Sequence, residues 1–149
     1  MQPTQTLLST LAELLAGDVA YLAAAAAKHV HWIKDVFTPD LTTDFTALVE
    51  ADFDGYVALN AAAGAQQAFT DPITGQRVVQ LIEPLGGWHS ETTGVTNLPQ
   101  TIYGYAVTDL ADAVTLGSAL LDTPVTLSGV GEAVDVSNIR LTFDVAPLS

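Results

Sequence analysis

The sequence predicts a mainly β chain, an antiparallel β-sandwich or jelly-roll-like domain with an N-terminal helical segment. Three observations point there. Roughly eight short runs rich in Val, Ile, Thr and aromatic residues recur after residue 28, bounded by Gly, Pro, Asn or Asp. Hydrophobic residues make up 49% of the 149 positions, enough for one continuous core. Charged residues reach only 14%, below the roughly 25% of average globular chains and opposite to the balance of a disordered one.

The start of the chain carries a helical signature. Leu7, Leu8, Leu11, Leu14 and Leu15 share one stripe at helical spacing. Thr4 or Thr6 can cap this helix, and Gly17 is a natural stop. The alanine-rich Asp18–Ala27 reads as a second short helix. The leucine stripe covers either its own domain or copies of itself in an oligomer. Residues 1–28 are therefore read as a helical arm or oligomerisation segment, and residues 29–149 as the β-sandwich domain. The five leucines are the candidate partner-binding residues.

Leu7–Ala27 is also the one stretch long enough to suggest a membrane span. Glu13 and Asp18 lie inside it, where charge is costly in lipid, and no base precedes Lys28. Neither a span nor a secretory signal is expected.

From His29 the texture turns to β. His29–Lys34 reads as a strand with Val30 and Trp32 on one face and His29, His31 and Ile33 on the other. Thr38-Pro39-Asp40 is a turn. Asp44–Ala51 fits one or two helical turns capped by Asp44 or Thr43. Phe53–Leu59 reads as a strand, and Asn60–Ala65 as a loop. Gln66–Thr70 and Arg77–Ile82 flank a hairpin signal at Asp71–Gly75. Trp88 opens a short strand after Gly86-Gly87, and Asn97-Leu98-Pro99 is a turn. Thr101–Thr108 is the clearest strand, followed by a polar turn at Asp109–Ala113. Leu116–Leu121 and Val125–Leu127 read as two strands separated by Thr123-Pro124. Ser128–Glu132 is a loop, and Val134–Val145 closes the chain as an alternating strand.

Charge excludes whole classes of partner. Seventeen acids face four bases, Lys28, Lys34, Arg77 and Arg140, for a formal net charge of −13. Four scattered bases cannot neutralise a row of phosphates, so no nucleic-acid partner is expected. Anionic membranes are disfavoured for the same reason. The absence of cysteine removes thiolate metal sites, Fe–S clusters and thiol catalysis.

Most motifs that would carry chemistry are incomplete. Glu50-Ala-Asp52-Phe-Asp54-Gly55 opens like a calcium loop, but the twelfth position is Ala61 where a bidentate Glu is needed. His29 and His31 share a strand face and resemble half of a zinc or iron site, yet no spacing brings His89 to them. His89-Ser90-Glu91 cannot form a relay, because neighbours in a strand point to opposite faces. There is no Gly-x-Ser-x-Gly elbow, and Gly129-x-Gly131 lacks the third glycine of a dinucleotide loop. The expectation is no enzyme, with no catalytic, cofactor-binding or metal residues assigned. The strand aromatics Trp32, Trp88, Tyr56, Tyr103 and Tyr105 are core residues or, where they reach the surface, anchors for a protein partner.

Four segments carry a family resemblance. His29–Asp40 (HVHWIKDVFTPD), Phe45–Tyr56 (FTALVEADFDGY), Ile102–Asp109 (IYGYAVTD) and Leu120–Leu127 (LLDTPVTL) resemble a pattern in small structural proteins of tailed phages. The resemblance spans residues 29 to 145; the leucine-rich start and the alanine run lie outside it. It implies a virion component with no catalytic motif. The first expectation is a capsid cement or decoration protein that binds the major capsid protein or other virion proteins, as a homotrimer, within a virion assembled in the host cytoplasm. The alternative is a tail, baseplate or fibre component with a host-receptor or carbohydrate-binding role.

Overall fold

β-branched and aromatic residues concentrate in Gln100–Asp109, and that segment is the spine of the fold. The structure is a computed structural model that describes residues 2–4, 27–40, 42–61, 66–70, 72–75, 77–81 and 87–143. The strands are β1 (Gln2–Pro3), β2 (Lys28–Ile33), β3 (Leu59–Ala61), β4 (Gln66–Thr70), β5 (Arg77–Leu81), β6 (Trp88–Glu91), β7 (Gln100–Asp109), β8 (Thr115–Leu127), β9 (Ala133–Val136) and β10 (Ile139–Phe143). Among the described residues every pairing is antiparallel. The main sheet runs β1-β8-β7-β2-β3; a second runs β10-β5-β4, and β6 pairs with β9.

All three sheets feed one core. Val30 and Trp32 from β2, Ile102, Tyr105 and Val107 from β7, and Leu127 from β8 meet Leu81, Ile139, Trp88 and Val134 from the smaller sheets. Trp32 is fully buried, its ring edge-on to Tyr105 with centroids 6.2 Å apart. Its indole N–H donates to Ser90 Oγ at 2.7 Å, stitching the main sheet to β6. A buried indole N–H usually finds a partner, and here that partner lies on a different sheet. The mainly β, antiparallel architecture agrees with the sequence reading.

Several elements differ from that reading in instructive ways. Phe53–Leu59 is not a strand: Gly55 takes φ +90°, Tyr56 N–H donates to Phe53 O at 3.0 Å, and pairing begins only at Leu59. A Cβ at Gly55 would lie 2.8 Å from Thr93 and 2.9 Å from Glu91 O, so glycine serves both the turn and a close approach. The two expected strands around Thr123-Pro124 are one, β8, carrying a bulge: five steps from Leu120 to Val125 answer two from Gly104 to Ile102. Pro124 has no N–H to give a ladder, and the bulge is where a strand tolerates it. Conversely, the strand expected over Val134–Val145, whose last two residues lie outside the described residues, is two elements up to Phe143: β9 and β10 join different sheets across Ser137-Asn138.

Asp44 caps a single 3-10 turn, Phe45–Ala47, its carboxylate accepting from Thr46 N–H at 3.0 Å. Leu7, Leu8, Leu11, Leu14 and Leu15, with the helices expected over them, lie outside the described residues. On either side of that stretch, Gln2 and Pro3 pair with Ser118 and Gly117 of β8, and Lys28 opens β2.

Candidate functional site

The pairing of β2 with β7 sets His29 opposite Thr108 and His31 opposite Ala106. Residues directly opposite in an antiparallel pair share a face, so the two histidines and Thr108 stand together. The turn that follows β7 then folds back over them. Asp109 Oδ1 accepts from the N–H groups of Ala113 at 2.8 Å and Val114 at 3.1 Å, while Asp112 N–H donates to Asp109 O at 3.1 Å. Asp112 takes φ +55°, a left-handed conformation that Asp tolerates better than most residues. Its carboxylate is thereby aimed at the histidines.

Asp112 Oδ1 lies 2.9 Å from both His29 Nδ1 and His31 Nε2, and accepts from Thr108 Oγ1 at 2.7 Å. His31 Nε2 is also 3.0 Å from Thr108 Oγ1. On the other side of the ring, His31 Nδ1 lies 2.7 Å from Glu50 Oε1. Glu50 is delivered by the chain alongside the end of β2: it bridges Ile33, and Ala51 N–H donates to Trp32 O at 2.9 Å. Tyr56 O–H donates to the same Glu50 oxygen at 2.5 Å and accepts from Trp32 N–H at 3.3 Å. Phe45 stacks on His31 with ring centroids 4.1 Å apart. The His31 side chain is 2% exposed, against 22% for His29 and 38% for Asp112, so the cluster is closed on one side and open on the other.

Electrostatics follow from these contacts. Burial pushes the Asp112 carboxyl up, but hydrogen bonds from Thr108, His29 and His31 together outweigh it and hold the group at about 2. Burial first, then the Glu50 hydrogen bond and charge, push the Tyr56 phenol far above its ordinary value, so it stays a donor. His31 has a carboxylate oxygen at each ring nitrogen, and a carboxylate only accepts. The ring satisfies both when each nitrogen carries hydrogen, or when a cation stands in place of one of those hydrogens. One ring nitrogen from each of His29 and His31 and a carboxylate oxygen of Asp112 all lie within 4.8 Å of one another, a spacing that could hold a metal ion.

The sequence singles out the two histidines of this cluster and misses the acids that complete it. Asp112 reads as part of a polar turn; only the β2–β7 register brings it to His29. His89 stands apart on β6, exposed, with Nε2 3.8 Å from Glu91 Oε2. The acids that open like a calcium loop diverge. Glu50 serves His31, Asp52 pairs with Lys34 at 2.5 Å and accepts from Gln100 at 2.6 Å, and Asp54 accepts from Thr96 N–H at 3.1 Å. The Lys34 hydrogen bond is the main cause holding the Asp52 carboxyl below its usual range. Trp32, Trp88 and Tyr105 are core residues, one of the two roles the sequence allows the strand aromatics. Comparison with known proteins finds no matching family model, no matching curated protein and no matching solved structure.

Proposed function

We propose that this chain is a non-enzymatic virion structural protein, a decoration protein that binds the major capsid shell as an oligomer. One observation carries the reading: apolar side chains presented to solvent on loops that are braced rather than loose. Val36, Val57 and Val95 are 75%, 70% and 68% exposed. Asp35 beside Val36 accepts from Val49 N–H at 3.2 Å. Val57 follows Tyr56, whose hydroxyl is held by Glu50. Val95 sits between Thr93 and Thr96, both bonded to Asp54. Loops fixed before binding lose little entropy when a partner covers them. Repetition over a symmetric lattice multiplies modest contacts into avidity.

The segments that resemble phage structural proteins form the framework of the fold. Phe53 and Tyr105 fill the core, Gly55 makes a turn, and Gly104 admits the Ala119 carbonyl and the Phe37 ring. The excess of 17 acids over four bases limits nonspecific contact with the packaged genome. The test is co-sedimentation of the purified chain with mature capsids, alongside its oligomeric state by analytical ultracentrifugation. Saturable binding by a defined oligomer, a trimer by expectation, supports the reading. A monomer that never associates with heads overturns it.

A second reading, a tail or fibre component that binds glycan, is favoured by one feature. A cleft of about 560 Å³ between β8 and the β9–β10 turn is lined by Asp122, Asp135 and Asn138. Carboxylates and an amide converging on one cleft suit the hydroxyls of a sugar. Binding on a glycan array without any capsid would move the assignment there.

A further inference from the structure

We propose that His29, His31 and Asp112 form a binding site for one divalent transition-metal ion of the zinc class, with Glu50 as the positioning carboxylate behind His31. The site stands apart from the capsid reading and holds or fails without it.

The donor set selects the ion. Two imidazole nitrogens and a carboxylate oxygen suit zinc and its neighbours, whereas calcium and magnesium need shells of oxygen. The geometry is close to what such an ion requires. Bonds of about 2.1 Å in a tetrahedral site set ligand atoms roughly 3.4 Å apart. The carboxylate oxygen already lies 2.9 Å from each nitrogen, so each gap opens by about half an ångström.

The surroundings are those of a supported ligand. A metal-bound histidine almost always hands its other ring nitrogen to a carboxylate, carbonyl or water, which fixes the tautomer and the ring plane. His31 does this with Glu50 at 2.7 Å, leaving Nε2 turned toward Asp112. Glu50 is itself held by Tyr56, and Phe45 clamps the ring face. Without an ion, one Asp112 oxygen takes hydrogen from His29, His31 and Thr108 together. A divalent cation replaces two of those donors at one point and balances the charge of both carboxylates. The exposed edges of His29 and Asp112 leave it a path from solvent and a fourth position for water.

Bound there, the ion fastens the β7–β8 turn to β2. The test is isothermal titration of zinc chloride into the tag-free, chelator-stripped full chain, with thermal unfolding followed in parallel. One ion per chain and a rise in Tm are expected for the natural chain and for His89→Ala. Asp112→Asn, which keeps the shape of the side chain, and His29→Ala, at a partly exposed position, should each lose the site and the Tm rise. Glu50→Gln should weaken affinity by about tenfold while keeping one site. No stoichiometric binding to the natural chain overturns the proposal. So does binding that survives unchanged in both Asp112→Asn and His29→Ala, or that disappears in His89→Ala.

Discussion

Glu50 Oε1 lies 2.7 Å from His31 Nδ1 and 2.5 Å from the Tyr56 hydroxyl, so one carboxylate oxygen ties a buried ring of the central sheet to the turn that follows it. Glu50 and Tyr56 are six residues apart in a stretch with little regular structure, and this contact takes over the role of a ladder. Bonds to a charged acceptor in a partly buried setting are worth more than neutral ones.

Tyr56→Phe should therefore destabilise the chain by about 1–3 kcal/mol in urea unfolding. Glu50→Ala should cost at least as much, because it strands His31 as well. A double-mutant cycle between Tyr56→Phe and Glu50→Gln should return a coupling on the order of 1 kcal/mol. Additive effects would mean that the bond contributes nothing specific.

Asp112 predicts the acid limb of stability. Its folded carboxyl titrates at about 2, against an ordinary 3.8. The unfolded chain binds the proton first, so the stability this group supplies is complete above about 4 and drains away as pH falls toward 2. Asp112→Asn should be less stable than the natural chain at neutral pH, and the gap should close across that window. A gap of constant size from neutrality to pH 2 would separate Asp112 from acid unfolding.

Lys28 predicts the opposite limb. Burial lowers its ammonium to about 8 from 10.5. Between those values the unfolded chain holds the proton and the folded chain does not, so this group raises stability as pH climbs from about 8 toward 10. Lys28→Met should lack that rise when unfolding midpoints are compared across the window.

Gly104→Ala should destabilise the fold by about 2 kcal/mol or more. The added Cβ would stand 2.2 Å from the Ala119 carbonyl oxygen and 2.9 Å from the Phe37 ring. Backbone in a paired strand cannot retreat as a flexible side chain can. Thermal unfolding of the variant checks this, and a Tm equal to that of the natural chain would contradict the close approach at the bulge.

Much of the ladder is legible in the sequence because strand formers and turn formers alternate sharply. Gln66–Thr70, the hairpin signal after it and the spine around Tyr103–Val107 fall where composition puts them. Failures occur where a local pattern has two equal outcomes. The alternation of Val134–Val145 suits one long strand or two short ones, and only the choice of partners, β6 and β5, divides it. Thr123-Pro124 looks like a break, but a bulge absorbs it within β8. The cluster is half legible for the same reason. His29 and His31 announce a shared face by their spacing, whereas Asp112 and Glu50 reach it through a strand register and a loop path that no short-range signal encodes.

Quantitative mass spectrometry of purified virus particles tests most directly whether this chain decorates a capsid. A fixed, high ratio to the major capsid protein, retained on genome-filled heads, is the predicted result. Absence from particles purified out of cells that make the chain, or a few copies confined to tail fractions, would contradict it.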